Sequence, residues 1–137
     1  MSYLVDTNVL SELRRREPNQ GVIEWFEQRP AGTLYLSVLT LGEIRKGIDL
    51  LNNDDRQLKL LDWLEVELPQ FFSGRILSVD ADVADRWGRL IAQIGRPIPA
   101  IDSLIAATAL RHGLKLVTRN VRDFSYPELD VINPWRD

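Results

Sequence analysis

The chain has 137 residues, 45% of them hydrophobic and 27% charged, which supports the core of one ordinary domain and excludes a disordered chain. It has no cysteine and a single histidine, His112, so disulfides, thiolate nucleophiles, cysteine or three-histidine zinc sites and two-histidine acid–base catalysis are all excluded. Its formal net charge is −3, so any affinity for nucleic acid needs positive charge from another source.

Taken in chain order, Tyr3 to Val5 reads as a short strand that ends at once on Asp6. Residues 9–15 read as a helix stopped before Pro18. Asn19 can cap a second helix through Trp25 and Phe26. Residues 33–38 form the second strand, and 39–51 a helix with Leu41, Ile44, Ile48 and Leu51 at helical spacing. Asp54 with Gln57 resembles a capping box for a helix over 56–68, on which Leu58, Leu61, Leu64 and Leu68 make one stripe while Leu60 and Trp63 fall off it. The third strand is 75–79. Asp80 caps a helix striped by Val83, Ala84, Trp87, Leu90, Ile91 and Ile94 and stopped by Gly95 and Pro97. A helix over 100–113, a fourth strand over 114–118 and a fifth over 130–133 complete the chain.

Strands alternating with helices, each strand an apolar run, predict a single α/β domain over 1–137, with a mostly parallel sheet of four to five strands flanked by helices. The N-terminal stretch lacks the basic and apolar regions of a signal peptide, and no apolar run is long enough to span a bilayer. The expected place is the cytoplasm, away from any membrane.

Ligands of parallel sheets bind beyond the carboxyl ends of the strands, which makes acids at that edge informative. Asp6 ends the first strand, Glu43 lies early in the helix after the second, and Asp123 follows the fourth. Asp102 opens the helix before the fourth strand. Its connectivity argues less directly, but the proline-braced stretch 95–102 can turn it toward the same edge. Each acid also has a local reading. Asp6 can cap a helix, Glu43 can face Lys46 on the surface, Asp102 suits a positive helix end and Asp123 suits an Asx-turn. Gathered together, the four would raise one another's pKa values. Mg²⁺, or Mn²⁺ in its place, relieves that conflict through oxygen ligands. Such an ion can hold a phosphate, activate water and neutralise a leaving oxygen. The residues therefore point to metal-assisted phosphodiester chemistry.

The stretches LVDTNVLSEL, GEIRKG, IPAIDSLIAATALRHGLKLVTRNVRDF and VINPW, in that order, resemble a PIN domain, and within it the VapC-type toxins of bacterial and archaeal toxin–antitoxin pairs. The resemblance covers nearly the whole chain. It implies a three-layer fold around a parallel sheet, an Mg²⁺-dependent endoribonuclease, a cognate antitoxin that covers the site, and frequently a homodimer. It places Asp6, Glu43, Asp102 and Asp123 as the catalytic, metal-holding acids. Thr7 and Asn8 match the positions after the first acid, and Thr118 and Asn120 the small polar positions before the fourth. It also implies product ends of 5′-phosphate and 3′-hydroxyl. With one histidine and no cysteine, the chain lacks the acid–base pair needed to activate the RNA 2′-hydroxyl.

Thr7, Asn8, Thr118 and Asn120 can orient the carboxylates or serve ordinary turns. Arg119 and Arg122 flank the acids as candidate RNA phosphate guides. Arg14, in the run Arg14 to Arg16, reads as a helix-end cation or as an RNA contact. His112 reads as a helix C-terminal residue. The apolar excess between Leu58 and Phe72 reads as core, with a groove for an antitoxin helix as the second reading. A haloacid-dehalogenase phosphatase would need a second Asp where Asn8 stands, and a receiver domain a pair of acids at the first strand. A non-catalytic RNA-binding or scaffolding domain is the remaining alternative, and concentrated negative charge argues against it.

Overall fold

The computed structural model describes residues 1–136. In chain order the elements are β1 (Tyr3–Val5), α1 (Thr7–Leu13), α2 (Gln20–Glu27), a 3₁₀ turn (Ala31–Thr33), β2 (Leu34–Ser37) and α3 (Val38–Asp49). Then come α4 (Asp54–Asp62), a π-helical turn (Trp63–Glu67), α5 (Leu68–Phe71), β3 (Ile76–Leu77) and α6 (Ala81–Ile94). The chain closes with α7 (Ala100–His112), β4 (Lys115–Val117), a second 3₁₀ turn (Val121–Phe124) and β5 (Val131–Ile132).

The five strands form one sheet in the order β3-β2-β1-β4-β5, and every pairing is parallel. Alternation along β1 splits the core in two. Tyr3 and Val5 pack with Val9, Leu10, Val22, Trp25, Ile44 and Ile48 of α1 to α3. Leu4 faces the other way, onto Leu90 of α6 and Ile105, Ala106 and Ala109 of α7. The result is three layers, with α1 to α5 on one face and α6 and α7 on the other. Each fully buried Leu or Val contributes about 1.5–3 kcal/mol. Among the described residues no helix is long and apolar enough to cross a membrane.

Three local expectations change. Asn53 caps α4, accepting from Arg56 N at 3.0 Å, while the Gln57 side chain donates to the carbonyls of Ile48 and Leu51 at 3.0 and 3.1 Å. The Asp54–Gln57 capping box therefore does not form, because Gln57 ties α4 back to the end of α3. The leucine stripe is also displaced. Leu58 is 66% exposed and Trp63 only 9%, since the chain passes through a π turn at Trp63–Glu67 that an even helical period cannot anticipate. Asp123, expected in a loop, sits on the second 3₁₀ turn.

The outward growth from β1 to β2 and β3, followed by the jump back to β4, puts the topological switch between β1 and β4. A crevice opens there at the carboxyl edge. Gly113, at φ 66, turns α7 directly into β4. Helix α7 thus begins at the edge where β4 ends, and connectivity carries Asp102 to the same place as Asp6.

Candidate active site

The site begins where β1 stops. Asp6 is extended (φ −75, ψ 158), caps α1 by accepting from Thr7 N at 2.9 Å, and donates its own backbone N–H to Val117 O at 2.9 Å. The helix cap and a place in the cleft therefore coexist in one residue. Its second oxygen, Oδ2, accepts from the buried Thr118 hydroxyl at 2.8 Å and from Asn8 Nδ2 at 3.4 Å. The Thr118 oxygen in turn accepts from Asn8 Nδ2 at 3.1 Å and from Asn120 N at 3.1 Å. Asn8 Oδ1 accepts from Arg119 N at 3.3 Å. The small polar residues after β1 and β4 thus bind each other across the switch point and fix the Asp6 carboxylate.

The remaining acids approach from three elements. The Thr7 hydroxyl donates to Glu43 Oε1 at 2.8 Å, tying α3 to α1. Asp102 is half-buried in the first turn of α7, and Asp123 is exposed on the turn after β4. A cleft of about 530 Å³ is lined by Asp6, Thr7, Asn8, Glu43, Asp102 and Asn120, and also by Glu12, Arg15, Arg56, Arg119 and Trp135. Asp123 reaches the group electrostatically, through Asp102.

Burial pushes the Asp6 carboxyl above the ordinary carboxylate value; hydrogen bonds from Thr118 and Thr7 N oppose the rise and the Glu43 charge adds to it. Burial also raises Asp102, reinforced by the charges of Asp6 and Asp123. Among the described residues no ion pair involves any of the four acids. Four carboxylates on one edge, two of them partly desolvated and none matched by a cation, form an all-oxygen donor set of the kind hard divalent ions take. Their side chains stand apart, and among the described residues no three acids converge tightly enough to hold an ion in this arrangement.

The candidate RNA contacts separate. Arg119 lines the acid cleft. Arg14 lies over the Trp63 ring, 5.4 Å from its centroid, and lines a neighbouring groove with Ile44, Ile48 and Leu60. Arg122 is exposed beside Asp123 and His112 is exposed at the far end of α7.

Glu12 escaped the sequence reading, although it is a cleft-lining acid only 5% exposed. Burial pushes its carboxyl up, but Asn19 N at 2.8 Å, the Arg15 guanidinium at 3.3 Å and the Trp135 indole together pull it below the ordinary value. The available signal was its place three residues after Val9, on the inward face of α1. Trp135 escaped for another reason. Nothing local in the sequence ties the last residues to the first helices.

Comparison with known proteins gives a consistent picture. Residues 3–127 match the PIN domain family. The chain is 41% identical to a plasmid stability protein, StbB, of Pseudomonas syringae, over 96% of this chain and 97% of that one. It is 38% identical to a VapC ribonuclease of Sinorhizobium fredii, over 96% of each. The crystal structure of FitAcB from Neisseria gonorrhoeae superposes with a TM-score of 0.89 at 37% identity, covering 98% of this chain and 99% of that one.

Proposed function

This chain belongs to the PIN domain family, and on that premise we propose that it is the ribonuclease toxin of a toxin–antitoxin pair, hydrolysing RNA with the help of a divalent cation. The observation that carries the reading is that Asp6, Glu43 and Asp102 line one cleft at the β1–β4 switch point, with Asp123 acting on Asp102 from the turn after β4, and that among the described residues none of the four is held in an ion pair. The relatives named as VapC ribonucleases and as toxins support the substrate and the biological role.

Asp6, Glu43, Asp102 and Asp123 would hold Mg²⁺ or Mn²⁺, which when bound supplies Lewis-acid activation of water and neutralises charge on the phosphodiester. The protein's own part is orientation. Thr118 and Asn8 fix one Asp6 oxygen, Thr7 N holds the other, and the Thr7 hydroxyl aims Glu43 at the cleft. Arg119 supplies local positive charge that the net composition lacks. Metal-activated water needs no RNA 2′-hydroxyl, and the likeness to PIN domains implies ends of 5′-phosphate and 3′-hydroxyl.

A cognate antitoxin fits the groove beside the acids. Its floor is Ile44, Ile48, Leu60 and Trp63, and it shares Thr7 and Glu43 with the cleft. An amphipathic helix laid there would reach the acids with a cationic side chain. A second copy of the chain fits the exposed apolar patch of Val38, Leu50 and Ile101.

The test is incubation of the purified chain with single-stranded RNA in Mg²⁺, and separately in excess EDTA, followed by sequencing of the product ends. Cleavage only with metal, leaving 5′-phosphates, is expected. Cleavage that persists in EDTA, or 2′,3′-cyclic phosphate ends, overturns the mechanism. Binding without cleavage would leave a non-catalytic RNA-binding domain.

A further inference from the structure

The residues 133–136 after β5 are held with unusual care for a stretch that belongs to no helix or strand. Asn19, which caps α2 by accepting from Gly21 N and Val22 N, also accepts from Arg136 N at 3.0 Å and donates through Nδ2 to Arg136 O at 2.7 Å. Asn133 Oδ1 accepts from Trp135 N at 2.9 Å, and Arg136 pairs with Glu24. Pro134 is buried. The tail lies so close to α2 that a Cβ on Gly21 would come within 2.7 Å of Pro134 O and of Arg136 Cβ. This clamp gives Trp135 one fixed position.

That position is the wall of the acid cleft. Trp135 is half-buried and packs against the core that holds Tyr3 and Val5. The Arg119 guanidinium lies over the ring, 5.3 Å from its centroid. Three arginines line the cleft, Arg15, Arg56 and Arg119. Arg15 is paired with Glu12 at 3.3 Å, while Arg56 and Arg119 have no carboxylate partner among the described residues. Arg119 is the one of these two seated on an aromatic face.

We infer that Trp135 is a substrate-positioning residue: its indole, fixed by the tail clamp, seats the Arg119 guanidinium at the mouth of the cleft, where it takes a backbone phosphate of the RNA next to the one being cleaved. An unseated arginine on an exposed loop loses side-chain freedom when it binds phosphate. Stacking on a fixed ring removes most of that loss beforehand. It also keeps the cation from folding back onto the acids, where it would compete with metal. The inference rests on the RNA-cleaving reading and adds a named residue to it.

The experiment uses the full chain and a fluorescent single-stranded RNA. Steady-state cleavage is measured in Mg²⁺ and binding by anisotropy with Ca²⁺ in its place, each over a salt series. Arg119→Ala should weaken binding and raise KM about tenfold, and lower the slope of log affinity against log salt by about 0.7, the loss of one phosphate contact on a single strand. Trp135→Leu, which keeps an apolar side chain without the π face, should raise KM about two- to fivefold with a smaller change in kcat. Trp135→Phe, which loses the indole N–H to Glu12 just as Trp135→Leu does but keeps an aromatic face, should restore most of KM and the salt slope. The double variant of Trp135→Leu with Arg119→Ala should be no weaker than Arg119→Ala alone. Gly21→Ala, which displaces the tail without touching the cleft, should reproduce the Trp135→Leu effect.

Equal rescue by Leu and Phe, an unchanged salt slope, or additive losses in the double variant would overturn the inference while the nuclease reading stands. A wild type that binds but does not cleave, with the same pattern among the variants, would remove the nuclease reading and leave the positioning role. A wild type that neither binds nor cleaves removes both.

Discussion

Asp6 and Glu12 are buried carboxylates on one stretch of chain, 7% and 5% exposed and lining the same cleft, yet their surroundings treat them in opposite ways. Glu12 meets a backbone N–H, a guanidinium and an indole, and its carboxyl falls below the ordinary value. Asp6 receives Thr118, Asn8 and Thr7 N, feels the charges of Glu43 and Asp102 without an ion pair among the described residues, and its carboxyl rises. Burial alone therefore does not mark a functional acid. What separates the two is whether the fold completes the coordination or leaves charge outstanding. An outstanding charge on a rigid edge is a place for a cation to bind.

The comparison breaks most sharply in activity. Asp6→Asn keeps the shape and the Thr7 N bond of the cap but removes the charge and the second acceptor oxygen. It should lower RNA cleavage by about 10²–10⁴-fold, with the circular dichroism spectrum unchanged and the thermal midpoint of the metal-free protein equal or higher. Glu12→Gln should leave cleavage nearer wild type. Equal losses from the two substitutions would abolish the distinction.

Metal sharpens it next. Mn²⁺ at about a hundred times its Kd should stabilise the wild type by about 2.7 kcal/mol. The same addition should do little for Asp6→Asn or Asp102→Asn, as read by thermal unfolding. A full shift in both variants would place the ion elsewhere.

Removing the satisfied acid costs stability instead. Glu12→Ala leaves the half-buried Asn19 N–H without its acceptor and should destabilise by about 1 kcal/mol in denaturant titration. A neutral outcome would show that water replaces the carboxylate at no cost.

The smallest effect is in pH. The folded Glu12 carboxyl lies below its unfolded value, so the folded state binds fewer protons there. Its stabilisation is present above the unfolded value and is lost as pH falls through the folded one. Asp6 is raised, so in metal-free protein its contribution has the opposite slope. It favours the fold at low pH and is lost as pH rises through the folded value. Glu12→Gln should flatten the acid limb of stability against pH, and Asp6→Asn should remove the decline above it. Unfolding midpoints of the metal-free proteins across the acid range would test both.

Most of the framework was legible locally because its causes are local. Asn19 and Asp80 cap α2 and α6 as expected, and Gly95 and Gly113 end α6 and α7 in the left-handed region. Apolar runs mark the parallel strands, of which β1, β2 and β4 are mostly buried and the edge strands β3 and β5 half-buried. Helix α4 departs from its local pattern because Asn53 caps it while Gln57 reaches back to α3, and because a π turn resets its buried face. Among the site residues, Asp6 and Glu43 follow from the rule for parallel sheets. Asp102 looked weaker in sequence and became plain only when α7 was seen to begin at the edge where β4 ends.

The sequence by itself determined the alternation of elements, the acids at the carboxyl edge and the exclusion of histidine and cysteine chemistry, because period, capping and composition act over a few residues. Only the tertiary structure decided which acids stay uncompensated and which are satisfied. Glu12 finds Asn19 seven positions away and Trp135 at the other end of the chain, while Asp6 finds Thr118 across 112 positions. Desolvation and Coulomb energy depend on distance in space, and a linear string holds that distance only after the sheet has closed it.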